Sequence, residues 1–124
     1  MDNVDEFVES CAKPNVEDVK RLISEGVDIN GFGSIENLDG DTGLMVAMSE
    51  DHTEIVRILL SCHNIKIDIQ DIIGLTALHY ACWKSSIESV KMFLAHPTCN
   101  KDIVEIMDNA GYTAEMIAEK NTEH

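Results

Sequence analysis

The side chains best suited to chemistry are four cysteines and five histidines, and two of their groupings invite a metal reading. Cys62-His63 and His96-Pro97-Thr98-Cys99 could offer thiolate and imidazole to a zinc ion. Neither has the C-x-x-C or H-x-x-x-H spacing that pre-organises a tetrahedral site, so no metal is assigned and a Cys/His metal-binding protein is the weakest reading. Asn37-Leu38-Asp39-Gly40-Asp41 opens like a calcium loop, but that loop needs Gly at its sixth position and a bidentate Glu at its twelfth, where Thr42 and Met48 stand. Gly31-Phe32-Gly33-Ser34 lacks the third glycine and following helix of a dinucleotide site. His79 is titratable, yet no nucleophile or carboxylate is spaced to pair with it. There is no G-x-S-x-G elbow, phosphate loop or H-E-x-x-H pair. The expectation is a protein that is not an enzyme and carries no cofactor.

Charge narrows the partners. Twenty-three acidic residues against nine basic ones give a net charge of −14, a field that repels a phosphate backbone, so nucleic acid is not an expected partner. No apolar run is long enough to span a membrane, and the acidic start Met1-Asp2-Asn3-Val4-Asp5-Glu6 is unlike the basic start of a signal peptide. A cytoplasmic protein with reduced thiols is expected, with the nucleus as the second location. Hydrophobic residues are 44% of the chain but aromatics only 5%, so the core must be built from aliphatic side chains, Ala and Met.

The elements that position these residues repeat. Thr76-Ala77-Leu78-His79-Tyr80-Ala81 has a counterpart thirty-four residues earlier, Thr42-Gly43-Leu44-Met45-Val46-Ala47, and another thirty-seven later, Thr113-Ala114-Glu115-Met116-Ile117-Ala118. A glycine lies two residues before each Thr (Gly40, Gly74, Gly111), and Asn37, Asp71 or Asp108 lies three before each glycine. That spacing suits a tight Asx turn, after which each Thr can cap a helix. Second helical patterns, with apolar residues at i, i+3, i+4, follow at His52 to Leu60 and Ile87 to Leu94, and Asn15 to Ile23 is similar. Ile65 to Gln70 alternates apolar and polar residues, and it and Asp102 to Ile106 are expected to be extended hairpins.

The Thr76 hexapeptide is one substitution from the T-P-L-H-x-A signature of the ankyrin repeat, and Gly26-Val27-Asp28-Ile29-Asn30 resembles that family's G-A-D-V-N exit. The chain is similar to an ankyrin-repeat protein over essentially its whole length. The resemblance implies an all-α fold: one solenoid of stacked helix–turn–helix units with projecting β-hairpin loops, its repeats near residues 4–36, 37–70 and 71–107, with a partial repeat at 108–124. It also implies that His79 hydrogen-bonds the neighbouring turn, and that Cys11 and Cys82, at the small-residue place of the first helix, are buried core thiols. About three extra residues in two of the exits (residues 31–36 and 96–105) read as drift in surface loops or as insertions on a binding side.

Function, on this resemblance, is non-catalytic protein recognition by an adaptor, inhibitor or scaffold. The family's variable turn positions and the exposed end of the first helix face its concave binding surface. They map here to Leu38, Asp39, Asp41 and Glu50 in the second repeat, Ile72, Ile73, Leu75, Trp83 and Lys84 in the third, and Tyr112 in the fourth. Apolar Ile72, Ile73 and Leu75 are costly to expose on a turn unless they bind something. With the acidic flank of Asp39, Asp41 and Glu50, they call for a basic protein partner with apolar anchors. The alternative is a homodimer formed through the half-capped C-terminal end, with Met92 and Phe93 nearby.

Overall fold

The computed structural model describes residues 3–34 and 40–121. Eight helices and no strand occur among them: α1 (Asn3–Ala12), α2 (Val16–Ser24), α3 (Gly43–Ser49), α4 (Thr53–Ser61), α5 (Ala77–Trp83), α6 (Ile87–Leu94), α7 (Lys101–Val104) and α8 (Ala114–Asn121). They pack as two rows. The inner row runs α1 on α3, α3 on α5 and α5 on α8, and the outer row runs α2 on α4 and α4 on α6. Within each repeat the two helices pack on each other, α1 with α2, α3 with α4 and α5 with α6. Short-range pairing of this kind is the expected result of short connections between amphipathic helices.

Caps set the start of each inner helix. Thr42 Oγ1 accepts the Met45 N–H at 3.2 Å, Thr76 Oγ1 accepts that of His79 at 3.3 Å, and Thr113 Oγ1 accepts that of Met116 at 3.2 Å. At Thr76 the cap is reciprocal, because the Thr76 N–H donates to His79 Nδ1 at 3.1 Å. The turns before the caps at Thr76 and Thr113 have the sequence-derived geometry: Asp71 Oδ1 accepts from Ile73 and Leu75 N–H, and Asp108 Oδ1 from Ala110 and Tyr112 N–H. Gly74 stands at φ +87°, which a side chain resists, and a Cβ there would also lie 2.6 Å from the Asn109 backbone nitrogen. This close approach lets successive turns join, with Asn109 N–H donating to Ile73 O and Asn109 Nδ2 to Ile72 O, both at 3.0 Å.

The core is aliphatic apart from two phenylalanines, Phe7 in α1 and Phe93 in α6, with Leu44, Met45 and Met48 between the inner helices and Ile55, Val56 and Leu59 beneath them. Each such side chain, fully buried, contributes about 1.5–3 kcal/mol. Polar side chains add links between repeats. His52 Nδ1 meets Cys11 O at 3.1 Å, Ser86 Oγ donates to Ser49 O at 3.0 Å, and Asn121 Nδ2 donates to Cys82 O at 2.9 Å, each reaching the C-terminal end of the preceding inner helix.

Four expectations need correction. Asp102 to Ile106 is not extended: α7 occupies most of it, because Asn100 Oδ1 accepts the Ile103 N–H at 3.0 Å and caps a helix. Ile65 to Gln70 forms no strand either, although its alternation is real as burial, with Ile65 and Ile67 inside and Lys66 and Asp68 outside. Cys11 is fully buried, but Cys82 is only half-buried, since it lines an open groove beside α6 and α8. Phe93 is completely buried and Met92 half-buried, so the apolar surface at the C-terminal end belongs instead to Leu94, Met107 and Met116.

Candidate functional site

Between the third turn, α5 and α8 lies a cleft of about 810 Å³, lined by Ile73, Leu75, His79, Tyr80, Trp83, Tyr112, Ile117, Lys120 and Asn121. Four of the residues singled out from sequence, Ile73, Leu75, Trp83 and Tyr112, meet in it. Trp83 is 57% exposed although it sits in the last turn of α5, and its ring lies 6.3 Å from that of Tyr80 at 49°. Ile72 is 85% exposed at the turn tip and lies outside the cleft lining. Leu38 and Asp39 fall outside the described residues.

The floor is held rigid by hydrogen bonds. His79 Nε2 lies 2.9 Å from Tyr112 O, which makes Nε2 the donor, while Nδ1 accepts from the Thr76 N–H. Both ring nitrogens are thus engaged in structure, as the resemblance implied. Tyr80 donates its hydroxyl to Asp71 Oδ2 in a short bond. Burial, then the Asp71 hydrogen bond and the charges of Asp41 and Asp71, push its phenol well above the ordinary value, so Tyr80 stays a neutral donor.

A second, smaller cleft of about 250 Å³ adjoins through Tyr80 and is lined by Ala12, Asp41, Met45, Val46, Ser49, Glu50 and Tyr80. Asp41 and Glu50 both line it. Glu50 is also engaged within the chain: Lys84 Nζ lies 3.6 Å from its carboxylate and 5.9 Å from the Trp83 ring centroid. Glu50, Lys84 and Trp83 form one continuous strip. A parallel contact places Lys120 Nζ 5.3 Å from the Tyr112 ring centroid. Exposed pairs of this kind are weak and yield readily to a ligand.

Sequence reading missed Tyr80, Ile117, Lys120 and Asn121. Tyr80 occupies the free position of the signature hexapeptide, a signal that was present; the α8 residues become lining only because α8 packs on α5.

Elsewhere, the cysteine and histidine groupings are engaged locally. Cys62 Sγ donates to Ile58 O, and His96 contacts Leu60 O through Nε2 and Thr98 Oγ1 through Nδ1. No group of three His, Cys, Asp or Glu side chains with metal-holding geometry occurs among the described residues. Nor is any described helix long and apolar enough to cross a membrane.

Two rows of capped helix pairs, joined turn to turn, define a helical repeat solenoid. The family model for ankyrin repeats (3 copies) matches residues 8–105, and the chain belongs to that family. A curated relative, the "Probable E3 ubiquitin-protein ligase XBOS33" of Oryza sativa subsp. japonica, is 33% identical over 88 residues, covering 69% of this chain. The match spans only 16% of that relative's length. Ankyrin repeats are protein–protein interaction modules.

Proposed function

We propose that this chain is a non-catalytic recognition module that holds a basic, apolar-anchored segment of a partner protein across the two adjoining clefts. The observation that carries this reading is the juxtaposition itself. An open apolar cleft with Trp83, Tyr112, Ile73 and Leu75 shares Tyr80 with a cleft bearing Asp41 and Glu50. An aromatic or branched aliphatic side chain fits the first, and a Lys or Arg fits the second, displacing Lys84 from Glu50. The net charge of −14 favours encounter with such a segment and disfavours nucleic acid. His79 is the one histidine in the cleft lining, and its engagement on both nitrogens leaves no base for a nucleophile. Free thiols at Cys11, Cys62, Cys82 and Cys99 suit a reducing compartment, the cytoplasm or the nucleus.

The test is an array of short synthetic peptides that vary one large apolar residue and one charged residue independently. Enrichment of peptides pairing an aromatic or Leu anchor with a nearby Lys or Arg is expected. Enrichment of acidic peptides, or of binders whose capture is unchanged by Trp83→Ala, would refute the reading.

A further inference from the structure

Charge changes sign along the C-terminal ends of the inner helices. Glu50 caps the end of α3, Lys84 caps the end of α5, and Lys120 is the last residue but one of α8. Because α3 packs on α5 and α5 on α8, the three follow one another along the stack, and the apolar Trp83 cleft lies between α5 and α8. Among the described residues, Lys120 is the one charged side chain in that cleft's lining. Its ammonium lies 5.3 Å from the Tyr112 ring centroid and forms no ion pair with a carboxylate of the described residues. Lys84 is balanced by Glu50 at 3.6 Å while its ammonium stands 5.9 Å from the Trp83 ring centroid. A partner Lys or Arg that takes Glu50 leaves Lys84 without that counter-charge. Two ammonium groups then face one aromatic cleft, one at Trp83 and one at Tyr112.

Resting on the two-cleft reading above, we propose that the partner segment also carries an Asp or Glu, on the far side of its apolar anchor from its Lys or Arg, held by Lys120 together with the released Lys84. The bound segment runs basic, apolar, acidic from α3 to α8, and each of its charges meets the opposite sign. Packed helix axes are about 8–10 Å apart, so α3 and α8 are separated by about 16–20 Å. An extended chain covers that span in about five or six residues at about 3.3 Å each. The carboxylate belongs to a side chain and not to a chain terminus. A terminal carboxylate is captured by a nest of backbone N–H groups, whereas the fixed donors in this lining are already spent: His79 Nε2 on Tyr112 O, and Asn121 Nδ2 on the carbonyls of Cys82 and Trp83. A lysine, a point charge on a flexible stem, can follow a side-chain carboxylate instead. The net charge of −14 still favours a segment that is basic as a whole, so the acidic residue is selected by its place beside Lys120.

The experiment measures fluorescence anisotropy of three labelled peptides, blocked at both termini, against the full chain. All three carry the same Lys and the same Leu anchor, and the distal position is Glu, Gln or Lys. We expect the Glu peptide to bind at least about threefold more tightly than the Gln peptide, the margin an exposed ion pair provides, and the Lys peptide to bind most weakly. The double variant Lys84→Gln with Lys120→Gln changes two exposed side chains, and its folding is checked by circular dichroism. It should erase the difference between the Glu and Gln peptides, and Lys120→Glu should shift the preference toward the Lys peptide. Failure of all three peptides to bind would remove the proposed clefts and this inference together. Equal binding of the Glu and Gln peptides would overturn this inference alone. So would a Glu advantage that survives the double variant, or a peptide ending at its anchor in a free carboxylate that binds as tightly as the Glu peptide.

Discussion

His79 shows how much a single side chain fixes. It closes the cap at Thr76 and bonds the next turn at Tyr112 O while fully buried, so His79→Ala leaves the Thr76 N–H and the Tyr112 carbonyl without their partner. A loss of about 2–4 kcal/mol is expected from two such orphaned groups and the small void, measured by urea unfolding. The turn glycines make a graded comparison. Gly111→Ala carries only the left-handed backbone penalty of about 1–2 kcal/mol, because open space surrounds it. Gly74→Ala must in addition push back the Asn109 backbone and should cost clearly more; equal losses would show that the turn-to-turn contact is soft. The turn glycines were legible because a turn is local and recurs at fixed spacing, whereas the bond of His79 to the next turn was legible only through the family resemblance. Tyr80 was not, since its neighbours Asp71 and Trp83 surround it only after the turn folds back over α5.

At the scale of elements, α7 and Cys11 are the informative cases. Asp102 to Ile106 does not alternate strictly, since Ile103 and Val104 are both apolar, and Asn100 fixes the helical turn by capping it. Asn100→Ala should therefore cost about 1 kcal/mol and raise amide exchange across Lys101 to Val104. Helix packing also isolates the Cys11 thiol between α1 and α3. Burial pushes it up to about 12 from an ordinary 9.0, so the neutral form is favoured in the folded state. The unfolded chain then releases this proton first, and the contribution is fully present below pH 9.0 and lost as pH rises toward about 12. Native-state labelling with iodoacetamide at pH 8 should modify Cys11 last of the four cysteines, and stability should decline above pH 9. Rapid labelling of Cys11 would mean that the α1–α3 seam opens readily. The half-burial of Cys82 could not be read from its place in the repeat, because Cys11 at the same place is fully buried.

For the whole molecule, the proposed recognition residues are expected to be separable from those that hold the fold. The double change Ile72→Ser and Ile73→Ser alters exposed turn positions that support no core contact, so the melting curve should move by no more than about 0.5 kcal/mol in equivalent stability. Partner capture, by contrast, should fall sharply. A melt far below the parent would place both isoleucines in the core and remove them from the binding face. The stacked architecture was legible from three spaced signatures; the clefts were legible only in part, as a set of turn residues without the α8 wall that completes them.

The central claim is that apolar anchors hold the partner while the acidic face gathers it. Association and dissociation rates of an array-selected basic peptide, followed by surface plasmon resonance across a salt series, test it most directly. Added salt should slow association, because steering is screened beyond about 8 Å at physiological ionic strength, and should leave dissociation nearly unchanged. Neutralising Asp39, Asp41 and Glu50 together should reduce both the on-rate and its salt dependence, whereas Trp83→Ala should raise the off-rate at least tenfold, about 1.4 kcal/mol or more. Salt-independent association, or an off-rate indifferent to Trp83, would contradict the account.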